Sequence, residues 1–187
     1  ISSPSDCSKY FKTKSQRQTL GSTDANAIIS YYGLNKKVIT GRFVKDGTST
    51  YYVTQNNKKV TGWVKDNGKW YYFDTDGKMV TGFITLGKNT FYLNPSTGEM
   101  SVGWFKVNGS TYLSKGNGAI VKNQTYSDGI STYLFGSTGK QLKKGMHKIN
   151  GKTYYVNSKT GTIVKNKIVK IKGSKYYFSS TGVRKTG

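Results

Sequence analysis

The stretch Gly62-Trp63-Val64-Lys65-Asp66-Asn67-Gly68-Lys69-Trp70-Tyr71-Tyr72-Phe73-Asp74-Thr75-Asp76-Gly77-Lys78-Met79-Val80-Thr81 decides the fold. A short apolar segment leads into Asn67-Gly68, the strongest short-range hairpin signal, because both central residues of a type I′ turn need positive φ. The aromatic run Trp70-Tyr71-Tyr72-Phe73 follows, built from residues that favour strands. Asp74-Thr75-Asp76-Gly77 then turns the chain again, with glycine at the position that needs a left-handed backbone. The unit reads as one β-hairpin and a resetting turn.

The same unit recurs along the chain. New copies open at Gly82-Phe83, Gly103-Trp104 and Gly145-Met146. A tyrosine marks the register at Tyr32, Tyr52, Tyr72, Tyr92, Tyr112, Tyr133, Tyr155 and Tyr177, with spacings of 20 to 22 residues. Periods of this length mark repeat architectures. Asn108-Gly109 and Asn150-Gly151 repeat the hairpin turn, and Asp46-Gly47 and Asp128-Gly129 stand as close substitutes. The residue after each tyrosine is apolar: Val53, Phe73, Leu93, Leu113, Leu134, Val156, Phe178. Alternation places that residue on one face with Tyr51, Tyr71, Phe91, Tyr154 and Tyr176, and the marker tyrosine on the other. A lone hairpin is marginal in water. The expected fold is therefore all-β, a solenoid of stacked β-hairpins with about 20–22 residues per repeat.

Composition agrees with a thin aromatic core. The chain of 187 residues is 34% hydrophobic and 14% aromatic, with 15 Tyr and 23 Gly. Tyrosine fills such a core while keeping a polar tip in water. Residues 41–187 are expected to form the repeat solenoid, and residues 1–40 an atypical N-terminal cap, a degenerate repeat or a linker. Within that first segment, Asp24 fits a helix cap, and Ile28-Ile29-Ser30-Tyr31-Tyr32 fits an early second strand equally well. With Ile at position 1 and no signal-peptide pattern, the chain reads as a mature chain or an excised fragment.

One Cys excludes an intramolecular disulfide framework and a multi-Cys zinc site. No apolar run reaches the ~18–20 residues of a membrane span. Asp74 and Asp76 read as turn residues rather than a calcium loop, since the equivalent positions elsewhere are Pro95-Ser96 and Ser158-Lys159. His147, the only histidine, reads as a surface residue. No nucleophile–base set, metal cluster or phosphate-cradling glycine motif is visible, so neither an enzymatic role nor a cofactor is expected of this chain. The net charge is +22, with 30 Lys and Arg against 8 Asp and Glu. It serves solubility or attracts an anionic polymer: teichoic acid, nucleic acid or an acidic membrane surface.

The combination of Gly-aromatic, Asn-Gly, Tyr-Tyr-Phe and Asp/Ser-x-x-Gly resembles the cell-wall-binding repeats of Gram-positive surface proteins. That superfamily includes choline-binding repeats, glucan-binding repeats of glucansucrases and the short repeats of clostridial toxin tails. The resemblance covers roughly residues 41–187 and weakly 20–40. It implies a noncovalent attachment module, secreted or at the bacterial cell surface, whose partner is a teichoic-acid-bearing wall polymer or an α-glucan. Choline-binding repeats place one Trp after the Gly and another before the Tyr pair. Only the Gly62 unit has both, as Trp63 and Trp70. The residues expected to bind ligand are Trp63, Trp70, Tyr72, Phe83, Tyr92, Trp104 and Tyr112. Each also has a packing alternative, Trp70 least so, because its equivalents are small. Nucleic-acid or other polyanion binding through the basic aromatic surface is the competing reading; no specific nucleic acid is expected, since no known motif for one is present. The oligomeric state is left open.

Overall fold

The computed structural model describes residues 40–185. The expectations for the first 39 residues lie outside them. Sixteen strands form seven hairpins, and no helix occurs among the described residues. The chain divides into two compact units, one ending at Val80 and the other starting at Thr81.

The first unit holds the hairpins β1 (Gly41–Asp46)–β2 (Ser49–Thr54) and β3 (Gly62–Asp66)–β4 (Lys69–Phe73). The second begins with β5 (Gly82–Leu86)–β6 (Asn89–Leu93) and β7 (Gly103–Val107)–β8 (Ser110–Ser114). Then follow β9 (Gln124–Ser127)–β10 (Thr132–Phe135) with β11 (Gln141–Leu142), and β12 (Gly145–Ile149)–β13 (Lys152–Val156). The last is β14 (Lys167–Ile171)–β15 (Ser174–Phe178) with β16 (Arg184–Lys185). This is the expected all-β stacked-hairpin architecture.

The Asn-Gly turns have the expected geometry. Asn67, Asn108 and Asn150 take φ of 46°, 46° and 48°, and the following Gly68, Gly109 and Gly151 are also positive, which defines type I′. The aspartate substitutes behave differently. Asp46 is the last strand residue, so Gly47 is the first central residue, with φ of 58°, and Thr48 is not in the positive region. That is the type II′ pattern. Asp128 opens a longer loop, and its Oδ1 accepts from the amides of Ile130 at 2.9 Å and Ser131 at 2.7 Å. Asp74 is a turn residue, as expected: its Oδ1 accepts from the amides of Asp76 and Lys78 at 2.9 and 2.8 Å.

The register differs from the sequence reading in two hairpins. The segment after each second strand folds back as a third edge, a two-residue strand in β11 and β16 and a single bridge in the other five hairpins. It pairs Val53 with Lys59, Phe73 with Met79, Leu93 with Met100, Ser114 with Ile120, Phe135 with Gln141, Val156 with Ile163 and Phe178 with Arg184. The true core row is therefore Val53, Phe73, Leu93, Ser114, Phe135, Val156 and Phe178, all buried. Leu113 and Leu134, not Tyr112 and Tyr133, hold the marker register. Tyr112 and Tyr133 belong one step back, in the inward row with Tyr51, Tyr71, Phe91, Tyr154 and Tyr176. A one-residue slip exchanges the faces of a strand. It places a serine in the core row, and the Ser114 hydroxyl is buried without a hydrogen-bond partner.

Stacking follows one rule within each unit: the outward face of one hairpin packs on the inward face of the next. In the first unit Phe43 meets Tyr71 edge-on at 4.9 Å, and the Met79 amide donates to the Thr50 carbonyl at 2.7 Å. In the second unit Tyr92 stacks on Phe105 at 5.1 Å, Trp104 packs on Tyr133 at 4.9 Å, and Tyr155 reaches Phe178 at 5.9 Å. The Ile163 amide donates to the Thr132 carbonyl at 2.7 Å, joining β12–β13 to β9–β10. Each ring thereby gains a partner that a single two-stranded ribbon lacks, worth about 0.5–1.5 kcal/mol per aromatic pair beyond its area burial.

Candidate functional site

With the register fixed, one outward position stands out. It is occupied by Thr50, Trp70, Thr90, Thr111, Thr132, Thr153 and Lys175, facing Lys45, Lys65, Thr85, Lys106, Ser127, Lys148 and Lys170 across the hairpin. Threonine is the rule. It suits a strand, and it takes local bonds such as the 3.1 Å contact between the Thr85 and Thr90 hydroxyls. Trp70 and Lys175 are the exceptions.

Trp70 completes an aromatic corner on β3–β4. Trp63 pairs with Tyr72 and Lys65 with Trp70, so alternation brings all four side chains to one face. Trp63 meets Tyr72 at 5.1 Å and 67°, and meets Trp70 at 6.3 Å and 90°. All three rings are half-buried. The Lys65 ammonium stands 5.8 Å from the Trp70 ring centroid, within the range at which a ring quadrupole attracts a cation. The corner offers flat apolar faces for a sugar ring or an alkylammonium group.

The second unit carries the other expected residues. Phe83 is 44% exposed and touches Tyr92 at 4.7 Å and Tyr112 at 5.2 Å. Tyr92 is half-buried against Phe105. Tyr112 is buried in the inward row, stacked on Phe105 at 5.4 Å, so it presents no open face. Trp104 is 45% exposed, and with Tyr126 at 6.2 Å and Tyr133 at 4.9 Å it makes a second corner. Sequence reasoning missed Phe105 and Tyr126. Both stand in the inward row of the first strands, where the other hairpins have Val44, Val64, Ile84, His147 and Val169. Exchange of an aliphatic for an aromatic residue at one repeat position was the available signal.

His147 lies at the surface. It is half-buried opposite Tyr154, and its Nε2–H donates to the Lys144 carbonyl at 2.7 Å. Among the described residues, Tyr52 and Asp128 have shifted acidity. Burial, followed by the hydrogen bond its hydroxyl donates to Asp66 Oδ1 at 3.0 Å, raises the Tyr52 phenol above its ordinary value. The amides of Ser131 and Ile130 hold the Asp128 carboxyl below the usual carboxylate range, with the Tyr133 hydroxyl assisting.

Two family models match this chain: the choline-binding repeat over residues 60–105, and the cell wall binding repeat over residues 102–120 and 169–183. Among solved structures, choline-binding protein F from Streptococcus pneumoniae, crystallised with a peptidoglycan analogue, is 31% identical. The match covers 79% of this chain and 47% of that one, with a TM-score of 0.67. CbpJ from Streptococcus pneumoniae TIGR4 is 28% identical over 78% of this chain and 48% of that one, with a TM-score of 0.66. A truncated alternansucrase from Leuconostoc mesenteroides is 30% identical over 73% of this chain and 12% of that one; its TM-score of 0.39 is too low to bear on the ligand. The chain spans about half the length of the two pneumococcal proteins. No curated protein sequence matches it. Over the matched segments the chain carries choline-binding and cell wall binding repeats, and it shares its fold with choline-binding protein F. Among the described residues, no helix is long and apolar enough to cross a membrane.

Proposed function

We propose that this chain attaches its parent protein to a bacterial cell-wall polymer or extracellular polysaccharide, outside the cell, and that it works by binding rather than by catalysis. The observation that carries the reading is the corner of Trp63, Trp70 and Tyr72, with a cation already standing over Trp70. A tryptophan placed where five of the other six hairpins have threonine contributes nothing that the fold requires elsewhere. Phe83, Tyr92 and Trp104 supply weaker contacts of the same kind, and Tyr112 supports them from beneath. Weak contacts repeated along one chain add avidity, because later ones form at high effective concentration. The basic side chains add a long-range attraction that salt screens.

The test is retention of the full chain on purified Gram-positive walls, on dextran and on a choline matrix, beside Trp70→Thr. The substitution installs the residue common at that position, so the hairpin is kept. Retention should fall about 10-fold, equivalent to ~1.4 kcal/mol, on whichever matrix the unsubstituted chain binds. No retention on any of the three, or equal retention of Trp70→Thr, overturns the proposal.

A further inference from the structure

The second exception in the threonine row lies at the other end of the described chain. Lys175 is directly opposite Lys170 in β14–β15. Like charges facing each other across a hairpin are destabilising. Between them the turn residue is Lys172, at φ of 48°. The type I′ turns of β3–β4, β7–β8 and β12–β13 hold that conformation with asparagine, which tolerates it far better than lysine does. Three lysines thus crowd one six-residue hairpin tip at two separate local costs. Lys170, Lys172 and Lys175 are all exposed, and no side-chain hydrogen bond or ion pair holds their ammonium groups among the described residues. No carboxylate offsets them: residues 129–185 hold thirteen Lys and Arg and no Asp or Glu, whereas residues 41–128 hold eleven against six. Lys185, opposite Tyr177 on β16, extends the same outward face.

We infer that the tip of β14–β15 is an anion site that grips the phosphodiester backbone of a linear polyol-phosphate polymer. An ammonium triad is matched by repeating single negative charges spaced along a flexible chain, and a neutral polysaccharide offers nothing to it. The site is separate in sequence from the aromatic corner of β3–β4 and has the opposite preference. One position of the repeat lattice is aromatic and takes an apolar or cationic substituent; its counterpart is cationic and takes phosphate. The inference rests on the wall-polymer reading above.

The experiment is titration of the full chain with poly(glycerol phosphate), with duplex DNA as a comparison polyanion, at several salt concentrations. Two variants are used: K172N, and K170Q/K175Q. K172N restores the residue of the other type I′ turns, so its melting temperature should rise while its affinity for poly(glycerol phosphate) falls several-fold. K170Q/K175Q should lower the slope of log affinity on log salt by about two, near one for each charge removed. A purely structural role predicts the rise in melting temperature without the loss of affinity. Unchanged affinity in both variants overturns the inference. Equal affinity for DNA, with equal losses in the variants, overturns the assignment to a polyol-phosphate polymer. Retention of Trp70→Thr on walls tests the aromatic site separately: equal retention there overturns the aromatic reading, while the lysine variants titrated with poly(glycerol phosphate) decide this one.

Discussion

Replacing Ser114 should stabilise the protein. Its row is otherwise Val53, Phe73, Leu93, Phe135, Val156 and Phe178, and Ser114 is itself only 3% exposed. Its hydroxyl has no partner, although its backbone pairs with Gly103 and bridges to Ile120. Burying a hydroxyl without a hydrogen bond costs about 1–3 kcal/mol in proteins. Ser114→Ala removes that hydroxyl and adds no atom, so it should recover at least ~1 kcal/mol. Ser114→Val adds apolar volume worth about 0.8 kcal/mol per buried carbon, less whatever repacking costs. The sharper comparison is Ser114→Val against Ser114→Thr, which share a shape and differ by the hydroxyl. Thermal unfolding followed by circular dichroism is the assay. A gain of ~1 kcal/mol corresponds to roughly 2–4 °C for a chain of this size. In a repeat protein the shift belongs to the transition of the unit that holds the residue, here the one beginning at Thr81. Ser114→Ala that melts at or below the unsubstituted temperature, together with Ser114→Thr equal to Ser114→Val, would refute the assigned register as well as the energetics.

Two further outcomes test the packing and the electrostatics. Gly139→Ala should destabilise more than Gly68→Ala: both have φ above 80°, but a Cβ at Gly139 would meet Ile120 Cγ2 at 2.6 Å, while one at Gly68 meets nothing within 4 Å. The strain common to both is about 1–3 kcal/mol, and the collision adds to it, which urea unfolding measures. For Tyr52, the folded pKa lies above the unfolded one, so its contribution is complete below about pH 10 and is lost as pH rises from there through the folded value. Tyr52→Phe should be ~1–2 kcal/mol less stable at pH 7, having lost the bond to Asp66. That deficit should shrink in urea unfolding above pH 10; a deficit constant with pH contradicts the assignment.

The hairpins were legible because their turns are written in residues with few alternatives. Asn67-Gly68 and Asn150-Gly151 leave little choice of backbone, and Trp70-Tyr71-Tyr72-Phe73 has no better use than a strand. The register of β7–β8 and β9–β10 was not legible from the tyrosines. Tyr112-Leu113 and Tyr133-Leu134 imitate Tyr72-Phe73, and a tyrosine followed by an apolar residue fits either face. Counting back four or five residues from the second-turn glycine (Gly77, Gly118, Gly139) would have found the core row, because that turn rather than the ring sets where the strand ends. The third edges escaped notice because one or two paired residues are too few to display an alternation. Of the site, Trp70 was visible as an exception to its row. The burial of Tyr112 and the placement of Phe105 beneath Tyr92 were not, since both depend on the slip.

The returning third edge also fixes where one copy of the repeat ends and another begins. Met79 closes the ladder that Phe73 leaves open, and Ile163 does the same for Val156. A cut just after β4 or β13 strips a ribbon of its own edge, while a cut just ahead of Gly82 leaves the preceding copy whole. Duplication or exchange of copies should therefore be tolerated best at the glycine-aromatic junctions, and chimeric modules joined there should inherit intact cores from both parents.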